Sequence, residues 1–298
     1  MRRCYVTADV FTSTPFEGNP VAVVLDAQGL STQQMQSIAA EFSYSETTFV
    51  LPPRDPKNTA HVRIFTPSRE IPFAGHPNIG TAFVLATRAV AAGKVLPNTF
   101  LFEEIAGTIP VTLIREGGSV TGGTLVAPEP LSRRSEVPPA QVAECLSLGA
   151  NDICTDAHRP QVVSVGLPFL VVELASRDAL HRCVPNPVTF KETLPLDGAV
   201  SIYAYTRDVV EQECDLQARM FTPRMTEDPA TGSATAATAA LLLSLRDVQR
   251  LELRVQQGVD MGRPSLLLAN ADESVVTVGG HCVEAFSGTF TMNGSNTE

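Results

Sequence analysis

The chain has 298 residues, 44% of them hydrophobic and 18% charged, and a formal net charge of −10. This length allows two globular lobes with separate cores, and the acidic balance argues against a protein that binds nucleic acid or an anionic membrane. Six scattered cysteines, an amino terminus without an apolar signal core and no apolar segment long enough for a bilayer predict a cytoplasmic protein with reduced thiols and no metal site.

The predicted elements of the first half are strands, one capped helix and one long apolar helix. Ser31 begins the first helix, because its hydroxyl can cap the first turn and Gln34 completes a capping box. The segment from Ile79 to Ala92 carries a single charge, and a helix that is apolar on every side is buried on every side. Strands are expected at 5–11, 21–25, 47–51 and 61–66.

The second half repeats this order. Strands at 162–172, 199–205 and 217–222 precede a segment without charges at 229–245. We interpret the repetition as an ancient duplication, in which each lobe wraps a curved sheet or barrel around its own central helix.

We place the boundary between lobes 1–127 and 128–298 and leave open whether the last strand returns to the N-terminal lobe. The proline-rich segment 127–140 is predicted to connect the lobes. The carboxyl end is predicted to hold strands with turns between them, and the Gly-Gly pairs at 117–118, 122–123 and 279–280 are predicted to be turns or loops. The strands are expected at 251–256, 265–269, 274–278 and 282–290.

One phrase occurs twice, as His76-Pro77-Asn78-Ile79-Gly80-Thr81-Ala82 and as Asp228-Pro229-Ala230-Thr231-Gly232-Ser233-Ala234, each shortly after Arg-x-Phe-Thr-Pro. Proline is favoured at the first position of a helix, which predicts His76 and Asp228 at or beside the N-caps of the central helices. The N–H groups at such a start can bind a carboxylate or stabilise an enolate oxygen. Either phrase alone is more often a capping and packing device, but the duplication favours one active site in a cleft between the lobes.

Three segments resemble the signatures of the PhzF phenazine-biosynthesis family: Ser-Glu-Thr-Thr-Phe-Val at 45–50, Pro-Phe-Ala-Gly-His-Pro-Asn-Ile-Gly-Thr at 72–81 and Glu-Asp-Pro-Ala-Thr-Gly-Ser-Ala at 227–234. Gly-Asn-Pro at 18–20 and Gly-Arg-Pro-Ser at 262–265 also fit the family. The resemblance implies a diaminopimelate-epimerase-like α+β fold of two homologous lobes, a homodimer and no cofactor.

The resemblance also implies a reaction. The best-understood member of the family is an isomerase that moves a proton within a dihydro-hydroxyanthranilate ring, so the expected partner is a small anionic substrate. Glu46 would take and return the proton. The other implied catalytic residues are His76, Asp228 and Ser233, and the implied substrate-binding residues are Asn19, Gly75, Gly232 and Arg263. Asn19 and Arg263 also suit turns, and for Arg263 the turn is the favoured interpretation.

Two alternatives stay open. A non-catalytic relative could bind a metabolite in the cleft or a protein on its surface. An epimerase or dehydratase could use the same carboxylate, although a two-thiol epimerase is not expected because neither phrase contains a cysteine. The motifs do not identify the substrate or its pathway.

Overall fold

The computed structural model describes residues 2–210 and 214–292. These residues form two compact units, one made of the chain up to Leu125 and from Gly280 onward, the other of Val126–Gly279. Within the described part, no helix is both long enough and apolar enough to cross a membrane. The six cysteines remain thiols, and four of them are buried: Cys145, Cys183, Cys214 and Cys282.

The first unit is a barrel around one helix. Its elements before residue 127 are β1 (Arg2–Val10), β2 (Asn19–Val24), α1 (Thr32–Phe42), β3 (Glu46–Leu51), β4 (Ala60–Phe65), β5 (Glu70–Ile71), α2 (Gly75–Ala91), β6 (Thr99–Glu104), β7 (Gly107–Glu116) and β8 (Ser119–Val126). The barrel closes in the order β1, β2, β3, β4, β6, β7, β8 and then the last strand of the chain, β18 (Val276–Thr291), which pairs with β1. The β2–β3 and β4–β6 pairs are parallel.

The second unit repeats these pairings. Its elements are β9 (Ser132–Glu136), α3 (Pro139–Cys145), a 3₁₀ turn (Ala150–Asp152), β10 (Ile153–Cys154), β11 (Gln161–Ser164), β12 (Pro168–Leu174), α4 (Arg177–Arg182), α5 (Pro187–Thr193), β13 (Ile202–Thr206), β14 (Leu216–Phe221), β15 (Glu227–Asp228), α6 (Gly232–Ser244), β16 (Arg250–Gln257), a 3₁₀ turn (Val259–Met261) and β17 (Ser265–Asp272). Here β12–β13 and β14–β16 are the parallel pairs, and β17 pairs with the first residues of β18. The predicted α+β architecture of two similar lobes is therefore confirmed.

The central helices are buried as predicted over most of their length, whereas the last turn of α2, residues 87–91, is accessible. Every residue of α2 from His76 to Val84 is buried, and so is almost all of α6, because neither segment has a charged face to turn toward water. Gly80 of α2 lies so close to β2 that a Cβ there would stand 2.5 Å from Cγ1 of Val21. The glycine of the first phrase thus serves packing.

The same arginine–glutamate ion pair occurs in both units, and its position agrees between the two copies better than that of the repeated phrase. The Arg63 guanidinium donates to both carboxylate oxygens of Glu70, at 2.7 and 2.6 Å. Arg219 makes the same two-point contact with Glu227, at 2.9 and 2.6 Å. Each arginine also covers the phenylalanine two residues later. These pairs tie β4 to β5 and β14 to β15, the short strands that precede α2 and α6.

Two local predictions are wrong. The last two predicted strands are one continuous strand, β18. The segment 127–140, predicted to connect the lobes, contains the strand β9. Gly-Gly at 117–118 does form a turn, but the pairs at 122–123 and 279–280 lie inside β8 and β18. A Cβ at Gly122 would meet the Gly280 carbonyl oxygen at 2.0 Å, so these glycines allow two strands to approach closely.

Candidate functional site

Glu46 and His76 meet in the first unit. Glu46 is the first residue of β3, and Oε2 of its half-buried carboxylate lies 3.5 Å from Nε2 of His76, the second residue of α2. The same strand and helix are also joined inside the barrel, where Thr48 of β3 and Thr81 of α2 share a 2.8 Å hydrogen bond between their hydroxyls. The structure thus brings together two of the residues predicted from sequence.

The His76 ring is neutral. Burial lowers the pKa of His76 to about 3, against a hydrogen bond to the Pro20 backbone that favours the charged ring. Proline has no N–H, so the imidazole is the donor and the Pro20 carbonyl the acceptor. Nε2 makes no hydrogen bond within the described part of the chain, which assigns the ring proton to Nδ1 and leaves a lone pair on Nε2.

Asn19 and Pro20 lie next to this pair, because the Pro20 backbone accepts the hydrogen bond from His76. Gly18 turns the chain with a φ of +67°, and a Cβ there would stand 2.4 Å from the Val10 carbonyl oxygen, so only glycine fits. Asn19 follows as the first, fully buried residue of β2, directly before the proline whose carbonyl binds His76. The predicted turn is therefore present at Gly18. Contact between Asn19 and a substrate stays a prediction.

The two phrases occupy different positions relative to their helices. The helix α2 begins at Gly75, with Ala74 as N-cap, so Pro77 is its third residue. The helix α6 begins only at Gly232, with Thr231 as N-cap, and Asp228 lies in β15. The predicted N-cap position is wrong for both His76 and Asp228. The ion pairs, which precede each helix by a similar distance, give the correct alignment of the copies.

Neither central helix has a side-chain cap at its start. Ala74 cannot supply one, and the Thr231 hydroxyl does not cap α6. By contrast, α1 has the predicted capping box between Ser31 and Gln34. The first N–H groups of α2 and α6, beginning at Gly75 and Gly232, are therefore not occupied by side-chain caps from the described residues, as an anion-binding helix start requires.

Asp228 and Ser233 are the accessible groups of the second phrase. In the fully described range 229–242, every residue is buried except Ser233, the second residue of α6. Asp228 is also only partly buried. Polar side chains left accessible in an otherwise buried segment are suited to contact a ligand.

Arg263 lies in the predicted turn. Its N–H donates to the Gly258 carbonyl at 3.0 Å, after Gly262 with a φ of +69°. Gly258 packs so closely on Pro229 that a Cβ would stand 2.6 Å from the Pro229 carbonyl oxygen. The turn that carries Arg263 is therefore built against the segment that carries Asp228. A contact between its guanidinium and a substrate stays a prediction.

Sequence reasoning missed three polar residues near the helix starts. Thr231 donates to Oδ2 of Asp228 at 2.5 Å, and Gln257 binds both the side chain and the N–H of Thr231. Glu104 faces the first turns of α2, where burial raises its pKa to about 8 and the Asn78 side chain acts in the opposite direction. The alternation of buried Phe100 and Phe102 places Glu104 on the inner face of β6, a signal the sequence contains.

A metal site is not formed by the described residues, among which no group of three or more His, Cys, Asp or Glu side chains could hold a metal ion. The residues above lie in two groups, Glu46, His76, Gly75 and Asn19 in the first unit and Asp228, Gly232, Ser233 and Arg263 in the second. That both groups serve one cleft stays a prediction.

Comparison with known proteins identifies relatives over nearly the whole chain. The profile of the phenazine biosynthesis-like protein family matches residues 8–288. An uncharacterized isomerase of Mesorhizobium japonicum is 37% identical over 300 residues, covering 96% of this chain and 98% of that protein. The trans-2,3-dihydro-3-hydroxyanthranilate isomerase of Pseudomonas chlororaphis is 37% identical over 278 residues, covering 90% of each.

A solved structure supports the same conclusion at the level of the fold. The Bacillus anthracis phenazine biosynthesis protein of the PhzF family superimposes with a TM-score of 0.87 at 23% identity, covering 98% of this chain and all of that one. The family profile spans nearly the whole sequence, and its named relatives are isomerases. The chain therefore belongs to the phenazine biosynthesis-like protein family, and it is an isomerase.

Proposed function

We propose that this protein is a cofactor-independent isomerase that moves a proton within a small ring bearing a carboxylate, with Glu46 as the group that takes and returns the proton. The observation that carries the proposal is the 3.5 Å contact between Oε2 of Glu46 and Nε2 of the buried His76. The substrate class comes from the name of the Pseudomonas chlororaphis relative, which acts on a dihydro-hydroxyanthranilate.

The proton transfer uses a carboxylate and a lone pair. Glu46 removes a proton from one ring carbon, and the electron pair of that C–H bond moves into the conjugated system of the substrate. The new acid donates a hydrogen bond to Nε2 of His76, whose lone pair faces Oε2. Return of the proton to another carbon on the same face restores the carboxylate, so the step is balanced without a second reactant.

The helix starts supply the anion-binding groups of the proposal. A substrate carboxylate and an enolate-like oxygen would bind the first N–H groups of α2 and α6, at Gly75 and Gly232, because side chains do not cap these ends in the described structure. Asp228 and Ser233 would orient the amino and hydroxyl groups of the ring. Asn19 and Arg263 would complete the binding contacts.

The test is proton NMR in deuterium oxide with trans-2,3-dihydro-3-hydroxyanthranilate and related cyclic acids. The native enzyme is expected to shift the double bond and to place deuterium at the carbon that receives the proton. Glu46→Gln should slow the reaction by about 10³-fold or more, since it removes the only group assigned to the proton transfer. Glu41→Gln, an exposed carboxylate on α1, is the matched control and should retain the native rate. Near-native turnover by Glu46→Gln would refute the role of Glu46.

Other outcomes of the same assay would replace the isomerase mechanism. Deuterium at a carbon whose double bonds stay in place would indicate an epimerase, and loss of water would indicate a dehydratase. Saturable binding without exchange into any tested acid would indicate a binding protein. Dialysis against a chelator tests cofactor independence, and the molar mass in solution tests the expected homodimer.

A further inference from the structure

Thr231, Gln257 and Asp228 form a hydrogen-bonded chain at the start of α6. Gln257 is the last residue of β16 and is fully buried. Its Nε2 donates to the Asp228 carbonyl at 2.7 Å and to the Thr231 hydroxyl at 3.1 Å, and its Oε1 accepts from the Thr231 N–H at 3.1 Å. The Thr231 hydroxyl in turn donates to Oδ2 of Asp228 at 2.5 Å.

The direction of every bond in this chain is fixed. A backbone N–H can only donate and a backbone carbonyl can only accept, so the two backbone contacts set the orientation of the Gln257 amide. The amide nitrogen therefore faces the Thr231 hydroxyl as a donor. Because the hydroxyl oxygen accepts from that amide, its own single proton points to Asp228. The chain therefore delivers one hydrogen-bond donor to the Asp228 carboxylate.

The chain also sets the backbone before α6. Gln257 holds both ends of the segment from Asp228 to Thr231, and its neighbour Gly258 lies against Pro229 between them. The side chain that would normally cap α6 is therefore turned away from the helix and toward Asp228. The N–H groups at the start of α6 are left to a ligand, and the carboxylate is held beside them.

We propose that Thr231 and Gln257 are positioning residues for the Asp228 carboxylate, which they hold in one orientation and as a hydrogen-bond acceptor for the substrate. Asp228 is assigned to the substrate by the proposed function, so the inference rests on that function. It goes beyond it by naming two residues that act through Asp228 without touching the substrate.

The test compares three threonine variants by their kinetics. Thr231→Val keeps the shape of the side chain and removes the donor, and it is expected to lower kcat about 10- to 100-fold with a smaller effect on KM. Thr231→Ser restores the hydroxyl and should restore the rate.

The matched control is Thr238→Val, a buried threonine of the same helix whose hydroxyl has no hydrogen-bond partner within the described residues. It should leave kcat and KM unchanged. Gln257→Glu removes the amide donor and should impair kcat as Thr231→Val does. The double variant should be no worse than the more severe single variant, because both changes break one chain.

Crystal structures of the Thr231 variants give a readout that does not depend on turnover. The Asp228 carboxylate should leave its native orientation in Thr231→Val and keep it in Thr231→Ser. If the native enzyme moves no proton in any tested acid while this structural difference is seen, the proposed function fails and the positioning role stands. If the native enzyme is active and Thr231→Val keeps the native kcat and Asp228 orientation, the inference is overturned and the function stands.

Discussion

The start of α2 and the start of α6 hold their polar groups in opposite ways. At α2, a neutral imidazole presents the lone pair of Nε2 to the Glu46 carboxylate at 3.5 Å. At α6, the Asp228 carboxylate accepts from Thr231, which accepts from Gln257. On the proposed function, the first arrangement would accommodate a proton that arrives and leaves, whereas the second would hold a charge in place. The two copies of one fold thus differ in how they hold their polar groups.

The strand registers show that the position of the proposed proton-transfer group Glu46 differs between the two copies. The first strand of each parallel pair, β2 or β12, starts at a Gly-x-Pro sequence. The residue two positions after the proline pairs with Thr47 of β3 in the first unit and with Ile202 of β13 in the second. The residue just before this partner is Glu46 in the first unit and Ser201 in the second. The second copy therefore has no carboxylate at this position, which agrees with a single acid/base group that acts on one face.

The largest expected effect comes from breaking the α2 arrangement at His76. His76→Asn retains a side-chain amide that can still donate to the Pro20 carbonyl, but it removes the Nε2 lone pair. We expect kcat to fall about 10²- to 10⁴-fold, because the acid form of Glu46 loses its acceptor. His61→Asn, on the outer face of β4, is the control and should behave as the native enzyme in the same NMR assay. A His76→Asn variant with a native rate would remove His76 from the mechanism.

The two ion pairs that precede the helices should differ in their contribution to stability. Arg219 is 9% exposed and also donates to the carbonyls of Leu180 and His181, whereas the Arg63 side chain is 19% exposed. Lysine keeps the charge but cannot reproduce these contacts. We expect Arg219→Lys to cost about 2–4 kcal/mol of unfolding free energy and Arg63→Lys about 1 kcal/mol. Urea unfolding measures both free energies of unfolding. Equal losses would contradict the prediction that the more deeply buried arginine contributes more to stability.

A smaller effect with a defined pH dependence is expected at Glu104. Burial raises its pKa from 4.5 to about 8, so the native state holds a proton there that the unfolded chain has already lost. The contribution of this proton to the free energy of unfolding is fully present below pH 4.5 and is lost as the pH rises through about 8. Glu104→Gln, which is neutral at every pH, should therefore be more stable than the native protein at pH 8–9, by about 2–4 kcal/mol.

The neighbouring Glu103 is the matched control for that experiment. Hydrogen bonds from the Asn58 side chain and from the backbone of Asp55 and Arg54 lower its pKa from 4.5 to about 2. The ionised Glu103 contributes to the free energy of unfolding above pH 4.5, and this contribution is lost as the pH falls through about 2. Glu103→Gln should therefore be less stable than the native protein near neutral pH. Unfolding free energies that change in the same direction for both variants at pH 8 would contradict the assigned environments.

Local signals in the sequence predicted much of this molecule. Apolar segments with at most one charge identified both central helices, because burial leaves a compositional pattern. The capping box at Ser31 was confirmed as well. The segments that resemble the family named Glu46 and His76 as site residues, and the structure places Oε2 of Glu46 3.5 Å from Nε2 of His76.

What the sequence could not predict depends on contacts between distant residues. The helix starts were misplaced because Asp-Pro and His-Pro favour a helix start only weakly, while the actual starts follow ion pairs that hold β5 and β15. Gln257 lies 26 residues from Thr231 and has no local pattern that marks its role. The glycines at 122–123 and 279–280 looked like turns because the close approach of two strands is a property of the barrel.

The most direct test of the account is the protonation state of His76 in the resting enzyme, read from nitrogen-15 NMR of the imidazole across a pH titration. We expect a neutral ring with its proton on Nδ1 from pH 8 down to about pH 4, because burial keeps the pKa near 3 and the Pro20 carbonyl holds that proton. His76→Asn identifies the signal by its absence. An imidazolium at pH 6, or a neutral ring with its proton on Nε2, would contradict the arrangement on which the proton transfer by Glu46 depends.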